Sequence, residues 1–292
     1  MLDARALQLA NDAHRGLQGE ALLRVEILVD GKLAAANQLV TEARLEEAET
    51  LYQEAAKQAP ASWKARYKYA RFWLDNGQEQ LGLQRLRALG AVLNVVEMTV
   101  APTIDGHLDE AVWAQAAQTD LPFLSYRGYV LPADMTTRVC LGYGAEGIYL
   151  GIYSHDDRMD SLRAAKTNRD DQVWAEESAE LFFDANLDRR SYVQIVANAI
   201  GTIFDAAGEN GLASADVSWT PNIEVAAHQG TDFWSLEMLV HYERKWLPKP
   251  SPGDLWGANF ARNFRDRAHS SQWVYTYGQY HQPDGFGVLV FK

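Results

Sequence analysis

The stretch Pro102-Thr-Ile-Asp-Gly-His-Leu-Asp-Glu-Ala-Val-Trp113 decides the fold, because the hydrophobic pattern changes on either side of it. Its Asp105-Gly106 pair is a turn signal, and its second half carries one helical turn with an apolar face. Upstream, apolar residues recur at helical spacing; downstream, they fall into short strand-like runs. We therefore predict two domains, a helical region at residues 1–96 and a strand-rich domain at residues 97–292.

Composition and charge limit the partners of this chain. With 47% hydrophobic and 23% charged residues, its 292 residues can form two modest folded domains. Residues 1–96 carry 12 basic and 12 acidic side chains, whereas residues 97–292 carry 15 basic and 27 acidic ones. An acidic domain repels phosphate backbones, so nucleic acid is not expected as a partner. Neutral ligands, cations such as calcium and cationic sugar polymers are compatible with this charge.

The sequence also bears on where the protein works. No apolar run approaches the roughly 18–20 residues of a membrane-spanning helix. The polar, amphipathic N-terminus lacks the basic head and apolar core of a signal peptide. Cys140 is the only cysteine, so the chain forms no internal disulfide. Cysteine usage therefore does not distinguish an oxidising from a reducing compartment. We predict that the chain was cut from a longer periplasmic or extracellular precursor; an intracellular protein is the alternative.

Residues 41–59 have the pattern of an amphipathic helix. Ala48, Tyr52 and Pro60 match the spacing in the second helix of a tetratricopeptide repeat, and a shift by that repeat's period of roughly 34 residues takes Ala48 to Gly82. Small residues at such positions let paired helices approach closely. Because only about two repeats are visible, the region is either a spacer beside the next domain or part of a longer protein-binding array.

Downstream of Trp113 the chain alternates in short runs separated by turn residues. Residues 136–143 and 148–154 flank Gly144-Ala-Glu-Gly147, which is a hairpin signal. Further strand-like runs follow at residues 179–184, 192–198, 202–205, 223–227, 233–240, 255–260 and 286–291. Eight or more short strands without long helices between them predict an all-β antiparallel two-sheet sandwich.

An ordered series of motifs in this domain resembles the family 9 carbohydrate-binding modules. The opening IDGxLDExVW is followed by an aromatic residue with a (D/E)SxExFxD strand and then by an xNxxGxxxD hairpin. A WxxExxIP strand, an NxxR segment and a closing PxxFGxLxF segment come after them. In this chain they begin at Ile104, Trp174, Asn198, Trp234, Asn259 and Pro283. One departure is Val-His at residues 240–241, where the family has Ile-Pro. The resemblance covers about residues 98–292 and implies a carbohydrate-binding sandwich.

The resemblance also implies a sugar site. In the family, a Trp and a Glu at the spacing of Trp174 and Glu180 belong to the sugar cleft, where an aromatic face packs on the sugar and polar groups bind its hydroxyls. We expect Glu180 to be ionised in a wet, polar surrounding, because Asp170, Asp171 and Glu177 are close in sequence. Core packing for Trp174 and a structural acceptor role for Glu180 are the alternatives.

Other candidate ligand-binding residues lie on the neighbouring run and near the C-terminus: Gln194, Asn198, Arg262, Trp273, Tyr277 and Tyr280. Gln194 and Asn198 share one strand face. The family's second clamping aromatic lies near its C-terminus, and all three aromatic candidates qualify for that role. Arg262 either binds ligand or pairs with a buried carboxylate such as Glu237. By contrast, the patterns around Trp113, Trp234 and Trp256 predict core positions.

The acidic loop that contains Asp156, Asp157 and Asp160 is a candidate calcium site, because calcium prefers clustered oxygen ligands. Related modules carry structural calcium. The loop lacks the spacing of an EF-hand, so a solvated loop is the alternative.

We predict a non-catalytic carbohydrate-binding module that holds a saccharide between aromatic side chains, within a larger polysaccharide-handling protein. A glycoside hydrolase is one alternative, although it needs two carboxylates flanking a cleft and the sequence marks no such pair. An envelope scaffold whose repeats bind proteins is another. A haem-binding sandwich with ligands among Met135, Met159, Met238 and His241 also stays open, although no attachment motif is present.

Overall fold

The computed structural model describes residues 4–209 and 215–292, which divide into two compact units. Within the described chain, the first unit runs to Val92 and includes Arg127–Val130. The second comprises Leu93–Tyr126 and Leu131–Lys292. None of the helices in the described ranges has the length and apolar character needed to cross a membrane.

The first unit is helical. Its helices are α1 (Ala4–Gly16), α2 (Glu20–Thr41), α3 (Leu45–Gln58), α4 (Trp63–Asp75) and α5 (Glu79–Ala88). Helix α2 packs against α3, and α4 packs against α5. The buried stripe of α3 includes Ala48, Tyr52 and Ala55, as the amphipathic pattern predicts. The helices are consistent with helical repeats, and their assignment as tetratricopeptide repeats stays a prediction.

Local sequence signals set both ends of α4. The Ser62 hydroxyl caps the first turn by accepting the backbone N–H of Ala65 at 3.0 Å. At the other end Gly77 adopts a φ of 81°, and Gln78 N–H bonds the carbonyl of Trp73 at 2.9 Å. This left-handed glycine with its six-to-one hydrogen bond is a Schellman stop, which lets α5 turn back onto α4.

Gly82 permits the close approach of α5 and α4, because a Cβ atom there would lie 2.6 Å from the backbone nitrogen of Leu74. We expect Gly82→Ala to destabilise the helical unit by about 1–3 kcal/mol through overpacking. Gly31→Ala is the matched control, since nothing lies within 4 Å of its Cβ position on α2. This variant should be more stable by about 0.5–1 kcal/mol, because alanine favours a helix more than glycine does. Urea unfolding followed at 222 nm measures both changes. A Gly82→Ala variant as stable as Gly31→Ala would contradict the close-packing account.

The second unit is built of short strands. Their bounds are β1 (Val92–Glu97), β2 (Ala117–Gln118), β3 (Leu124–Ser125), β4 (Thr137–Tyr143), β5 (Gly147–His155), β6 (Ser178–Asp184), β7 (Ser191–Asn198), β8 (Ile203–Glu209), β9 (Ile223–Gln229), β10 (Phe233–His241), β11 (Leu255–Phe264), β12 (His269–Gln272) and β13 (Gly287–Phe291). Within the described chain, the only helices between these strands are short 3₁₀ turns.

The strands form one curled sheet in the order β8-β7-β6-β11-β13-β1-β4-β5-β10-β9. Strand β12 lies beside β11 and β3, and β2 lies beside β4. Apart from the junction between β13 and β1, the neighbouring strands run antiparallel except for the parallel pair β1–β4. The two halves face each other, since Arg262 of β11 donates to the carbonyl of His155 on β5 at 2.6 Å. The predicted antiparallel sandwich is therefore confirmed, with its two sheets joined into one curled sheet.

The opening motif is anchored to the sandwich by one buried carboxylate, Glu237 of β10. One oxygen accepts the backbone N–H groups of Asp105 and Gly106, both at 3.0 Å, and the other accepts the indole N–H of Trp113 at 2.7 Å. Gly106 has a φ of 92°, and a Cβ atom there would lie 2.6 Å from the carbonyl carbon of Ala227. Glycine is therefore required where the motif lies against β9.

The core of the sandwich contains the predicted tryptophans Trp113, Trp234 and Trp256, which are all buried. On β6, period-two alternation directs Leu181 and Phe183 to one face and Glu180 and Phe182 to the other. The second face is also buried, because the C-terminal segment covers it: Phe182 contacts the rings of Tyr280, His281 and Phe286. This covered face of β6 positions the candidate site.

Candidate functional site

A cavity of about 460 Å³ lies over β6, β7, β8 and β11. Aromatic side chains and a small set of polar groups line it, which is the usual composition of a small-molecule site. The lining residues are Tyr126, Trp174, Glu180, Gln194, Phe204, Asn263, Arg265, Ser270, Gly278, Gln279, Tyr280 and His281. Four predicted site residues, Trp174, Glu180, Gln194 and Tyr280, are thus brought together.

Trp174 is a half-buried wall of the cavity. It lies in a 3₁₀ turn (Val173–Ala175), and its ring meets the ring of Phe204 edge-on, with centroids 4.5 Å apart. Its backbone carbonyl accepts two N–H groups of Arg265, from Nε at 3.0 Å and from Nη2. The indole is therefore held in place by Phe204 and Arg265 while part of it stays accessible.

Glu180 is buried at the cavity wall with only 4% of its surface exposed. One carboxylate oxygen accepts the amide N–H of Gln194 at 2.8 Å, and the other accepts that of Asn263 at 2.6 Å. Burial raises the pKa of this carboxyl, and the two amides and the charge of Arg265 oppose that rise. The expected wet surrounding is therefore wrong: the C-terminal segment covers this face of β6, and loop composition could not reveal that cover.

Gln194 and Asn198 share a face of β7 but have different surroundings. Gln194 lines the cavity, whereas Asn198 lies outside it and organises the β7–β8 hairpin. The side-chain oxygen of Asn198 accepts the N–H groups of Ile200 at 3.2 Å and Thr202 at 2.8 Å, and its amide donates to Glu176 at 2.9 Å. These bonds give Asn198 a structural role.

Of the three C-terminal aromatic candidates, Tyr280 lines the cavity. Trp273 is buried and stacks on Phe260 with centroids 5.3 Å apart, so it belongs to the core. Tyr277 is not among the lining residues and contacts the ring of Tyr275. Tyr277, whose φ is 61°, lies between the buried Trp273 and the cavity-lining Tyr280.

The sequence prediction missed several lining residues. Asn263 was missed because the apolar pattern of β11 stops near residue 260, while the strand continues to Phe264. Phe204 lies within the hairpin motif and could have been assigned from strand alternation. Tyr126 and Arg265 belong to no motif, and no sequence signal identifies them.

Arg262 is fully buried and lies outside the cavity lining. Its Nη2 lies 2.9 Å from Asp156, and its guanidinium lies over the ring of Phe264 at 3.7 Å. The predicted ion pair therefore exists, but its partner is Asp156 and not Glu237. Glu237 instead accepts hydrogen bonds from the opening motif.

The carboxylates of the predicted calcium set are already engaged by guanidinium groups. Asp156 pairs with Arg262 at 2.9 Å and with Arg267 at 3.2 Å, and Asp157 also pairs with Arg267. Asp160 is exposed and does not belong to the carboxylate cluster around Asp156. Calcium could use Asp156 and Asp157 only by competing with the guanidinium groups of Arg262 and Arg267.

Asp156 instead lies beside Glu177 and Asp266, with one ligand atom of each within 4.8 Å of the others. Burial raises the pKa of Glu177 to about 7. The Asp266 carboxylate lies 3.8 Å from the guanidinium of Arg158, so cations surround this group too. Calcium binding by the chain stays a prediction.

One further lining residue, His281, bears on the charge of the cavity. His281 is held neutral at pH 7, because burial lowers its pKa to about 4, and its Nδ1 lies 2.9 Å from the Tyr192 hydroxyl. None of the four residues suggested for haem lines the cavity: Met135 and Met238 are buried, Met159 lies in a 3₁₀ turn (Met159–Ser161), and His241 lies 2.9 Å from Glu224.

The comparisons with known proteins bear on the strand-rich unit. The family model described as "Carbohydrate family 9 binding domain-like" matches residues 104–292. The chain therefore belongs to the carbohydrate family 9 binding domain-like family. This match begins inside the opening motif and extends through every residue of the cavity. No curated protein matches the chain.

Solved structures share the family 9 fold. A family 9 carbohydrate-binding module from Caldicellulosiruptor kristjanssonii in complex with cellotriose is 18% identical, with a TM-score of 0.53 over 69% of this chain and 93% of that chain. A family 9 module from the same organism in complex with glucose is 18% identical, with a TM-score of 0.50 over 68% of this chain and 95% of that chain. A "putative carbohydrate-binding protein" from Bacteroides uniformis ATCC 8492 is 15% identical, with a TM-score of 0.53 over 69% of this chain and 99% of that chain. At these identities the likeness establishes the fold.

Proposed function

We propose that the cavity beside Trp174 and Glu180 binds a saccharide without cleaving it. The observation that carries this proposal is the pairing of a held, partly accessible indole with a buried carboxylate in one cavity. An indole face packs on the C–H surface of a sugar ring, and a carboxylate accepts hydrogen bonds from the hydroxyls of the sugar. The cellotriose and glucose complexes of the Caldicellulosiruptor module support a saccharide as the ligand.

The polar groups of the site are arranged for binding. Gln194 and Asn263 each donate one N–H to Glu180, which fixes the carboxylate and leaves lone pairs on its oxygens for a ligand. The side-chain oxygen of Gln194 can also accept a hydrogen bond, and that of Asn263, which accepts the Ser270 hydroxyl at 3.3 Å, keeps a second lone pair. These three side chains therefore offer a rigid set of acceptors to sugar hydroxyls.

The carboxylate count favours binding over hydrolysis. A glycosidase needs two carboxyl groups about 5–10 Å apart on either side of the scissile bond. Among the described lining residues Glu180 is the single carboxylate. A hydrolase acting at this cavity would release new reducing ends from a bound glycan, and their appearance would overturn the non-catalytic proposal.

We also propose that the domain serves a larger polysaccharide-handling protein. Binding without cleavage is useful where a module holds substrate for a separate activity. Binding of a protein by the helices stays a prediction, and so does the envelope scaffold, in which the cavity would bind no sugar.

We expect Trp174→Ala to weaken saccharide binding by roughly ten- to hundredfold, because an aromatic face contributes about 1.5–3 kcal/mol. The loss of stability should be small, about 1–2 kcal/mol, since the indole is only half-buried. A glycan array first supplies a ligand, and isothermal titration calorimetry then measures its affinity. Trp246→Ala is the matched control, because Trp246 is also half-buried but lies outside the cavity. Unfolding of Trp174→Ala, or unchanged affinity, would contradict the platform role.

A further inference from the structure

Arg265 is held rigidly at the edge of the cavity. It follows the last residue of β11, and its backbone N–H donates to Glu177 at 2.5 Å. Its Nε and Nη2 both donate to the backbone carbonyl of Trp174. The guanidinium is thus fixed beside the indole that forms the proposed sugar platform.

The charge of Arg265 is not neutralised by a salt bridge within the described residues. Four of the other arginines of this unit do lie within 4 Å of a carboxylate: Arg158, Arg169, Arg262 and Arg267. Glu180 shares the cavity with Arg265, but its two oxygens accept amide N–H groups. Arg265 differs from exposed arginines such as Arg138 and Arg244 because it is half-buried and lines the cavity.

The remaining donors of Arg265 suit a carboxylate. A guanidinium has five N–H groups, and the Trp174 carbonyl uses one on Nε and one on Nη2. Nη1 therefore keeps both of its N–H groups and Nη2 keeps one. Adjacent N–H groups of the two terminal nitrogens form the fork that binds a carboxylate in bidentate fashion.

We propose that the ligand of this cavity is an acidic saccharide, a hexuronic acid whose carboxylate pairs with Arg265 while its hydroxyls donate to Glu180. The proposal rests on the saccharide-binding function proposed above. Since His281 is neutral at pH 7, Arg265 is the permanent cation among the described lining residues. The acidic surface of the domain does not prevent this pairing, because salt screens exposed charges beyond about 8–10 Å.

The test compares matched pairs of sugars: glucuronate with glucose, galacturonate with galactose, and mannuronate with mannose. Titration calorimetry at low and physiological salt measures each affinity. We expect one uronate to bind at least tenfold more tightly than its neutral partner, with a preference that falls as salt rises. Arg265→Gln should remove the preference and Arg265→Lys should retain part of it. Arg244→Gln, an exposed position outside the cavity, should leave it unchanged.

The outcomes separate this inference from the proposed function. Equal affinities within every pair, or a preference that survives Arg265→Gln, would overturn the acidic ligand while leaving saccharide binding intact. Equal binding of glucose 6-sulfate and glucuronate would overturn the commitment to a carboxylate. If a glycan array shows no saccharide bound, both proposals fail. Circular dichroism of Arg265→Gln checks that the lost preference does not reflect unfolding.

Discussion

Replacing Glu237 by Ala should destabilise the sandwich by about 3–5 kcal/mol, because two buried donors and one partly buried donor would lose their acceptor. The N–H groups of Asp105 and Gly106 and the indole N–H of Trp113 all donate to this carboxylate. Glu237 is fully buried, so water cannot replace it without entering the core. The substitution also leaves a cavity where the side chain had been.

Thermal and urea unfolding, monitored by near-ultraviolet circular dichroism, measure this change in the stability of the sandwich. Glu224→Ala is the control, because Glu224 is an exposed carboxylate that pairs with His241 at 2.9 Å. An exposed pair of this kind should contribute less than about 1 kcal/mol. A loss below about 1 kcal/mol in Glu237→Ala would mean that the opening motif is not held by this carboxylate.

The second large effect is expected at Arg262. Its guanidinium is fully buried between the two halves of the sandwich, where it pairs with Asp156 at 2.9 Å and donates to the carbonyl of His155 at 2.6 Å. Removing one partner of a buried ion pair costs about 3–5 kcal/mol when the other charge is left buried without a partner. Because Asp156 keeps Arg267 at 3.2 Å, we expect Arg262→Ala to lose stability at the lower end of this range, about 3 kcal/mol.

A double variant identifies the cause of the loss. Arg262→Met with Asp156→Asn removes both charges and keeps much of the volume, so it should recover part of the stability lost in Arg262→Met alone. Arg24→Ala is the surface control, since its pair with Glu20 is exposed on both sides. If the double variant is no more stable than the single one, the buried charge of Asp156 is not what the arginine compensates.

The sequence predicts much of this fold because hydrophobic period is a local property. The change of period near Pro102 lies close to the boundary between helices and strands, although the first strand, β1 (Val92–Glu97), already precedes it. Strand alternation correctly buries Trp234 and Trp256. On the helical side, the spacing of Ala48 and Tyr52 correctly indicates the buried face of α3.

The candidate site is predicted less completely, because its walls come from segments distant in sequence. Trp174 and Glu180 were assigned from one family motif, and both line the cavity. Tyr126 and Arg265 reach the same cavity from segments that no local pattern connects. Periodicity gives the face on which Arg262 lies, but it cannot say that Asp156, 106 residues away, is the carboxylate it meets.

The central claim is that a saccharide binds beside the indole of Trp174. Nuclear magnetic resonance of the nine indole N–H groups, during titration with a saccharide identified on a glycan array, tests it most directly. The account predicts a saturable shift of the Trp174 signal, assigned by its absence in Trp174→Ala, while the buried Trp113 and Trp256 signals stay in place. A saccharide that binds without moving the Trp174 signal would contradict the account.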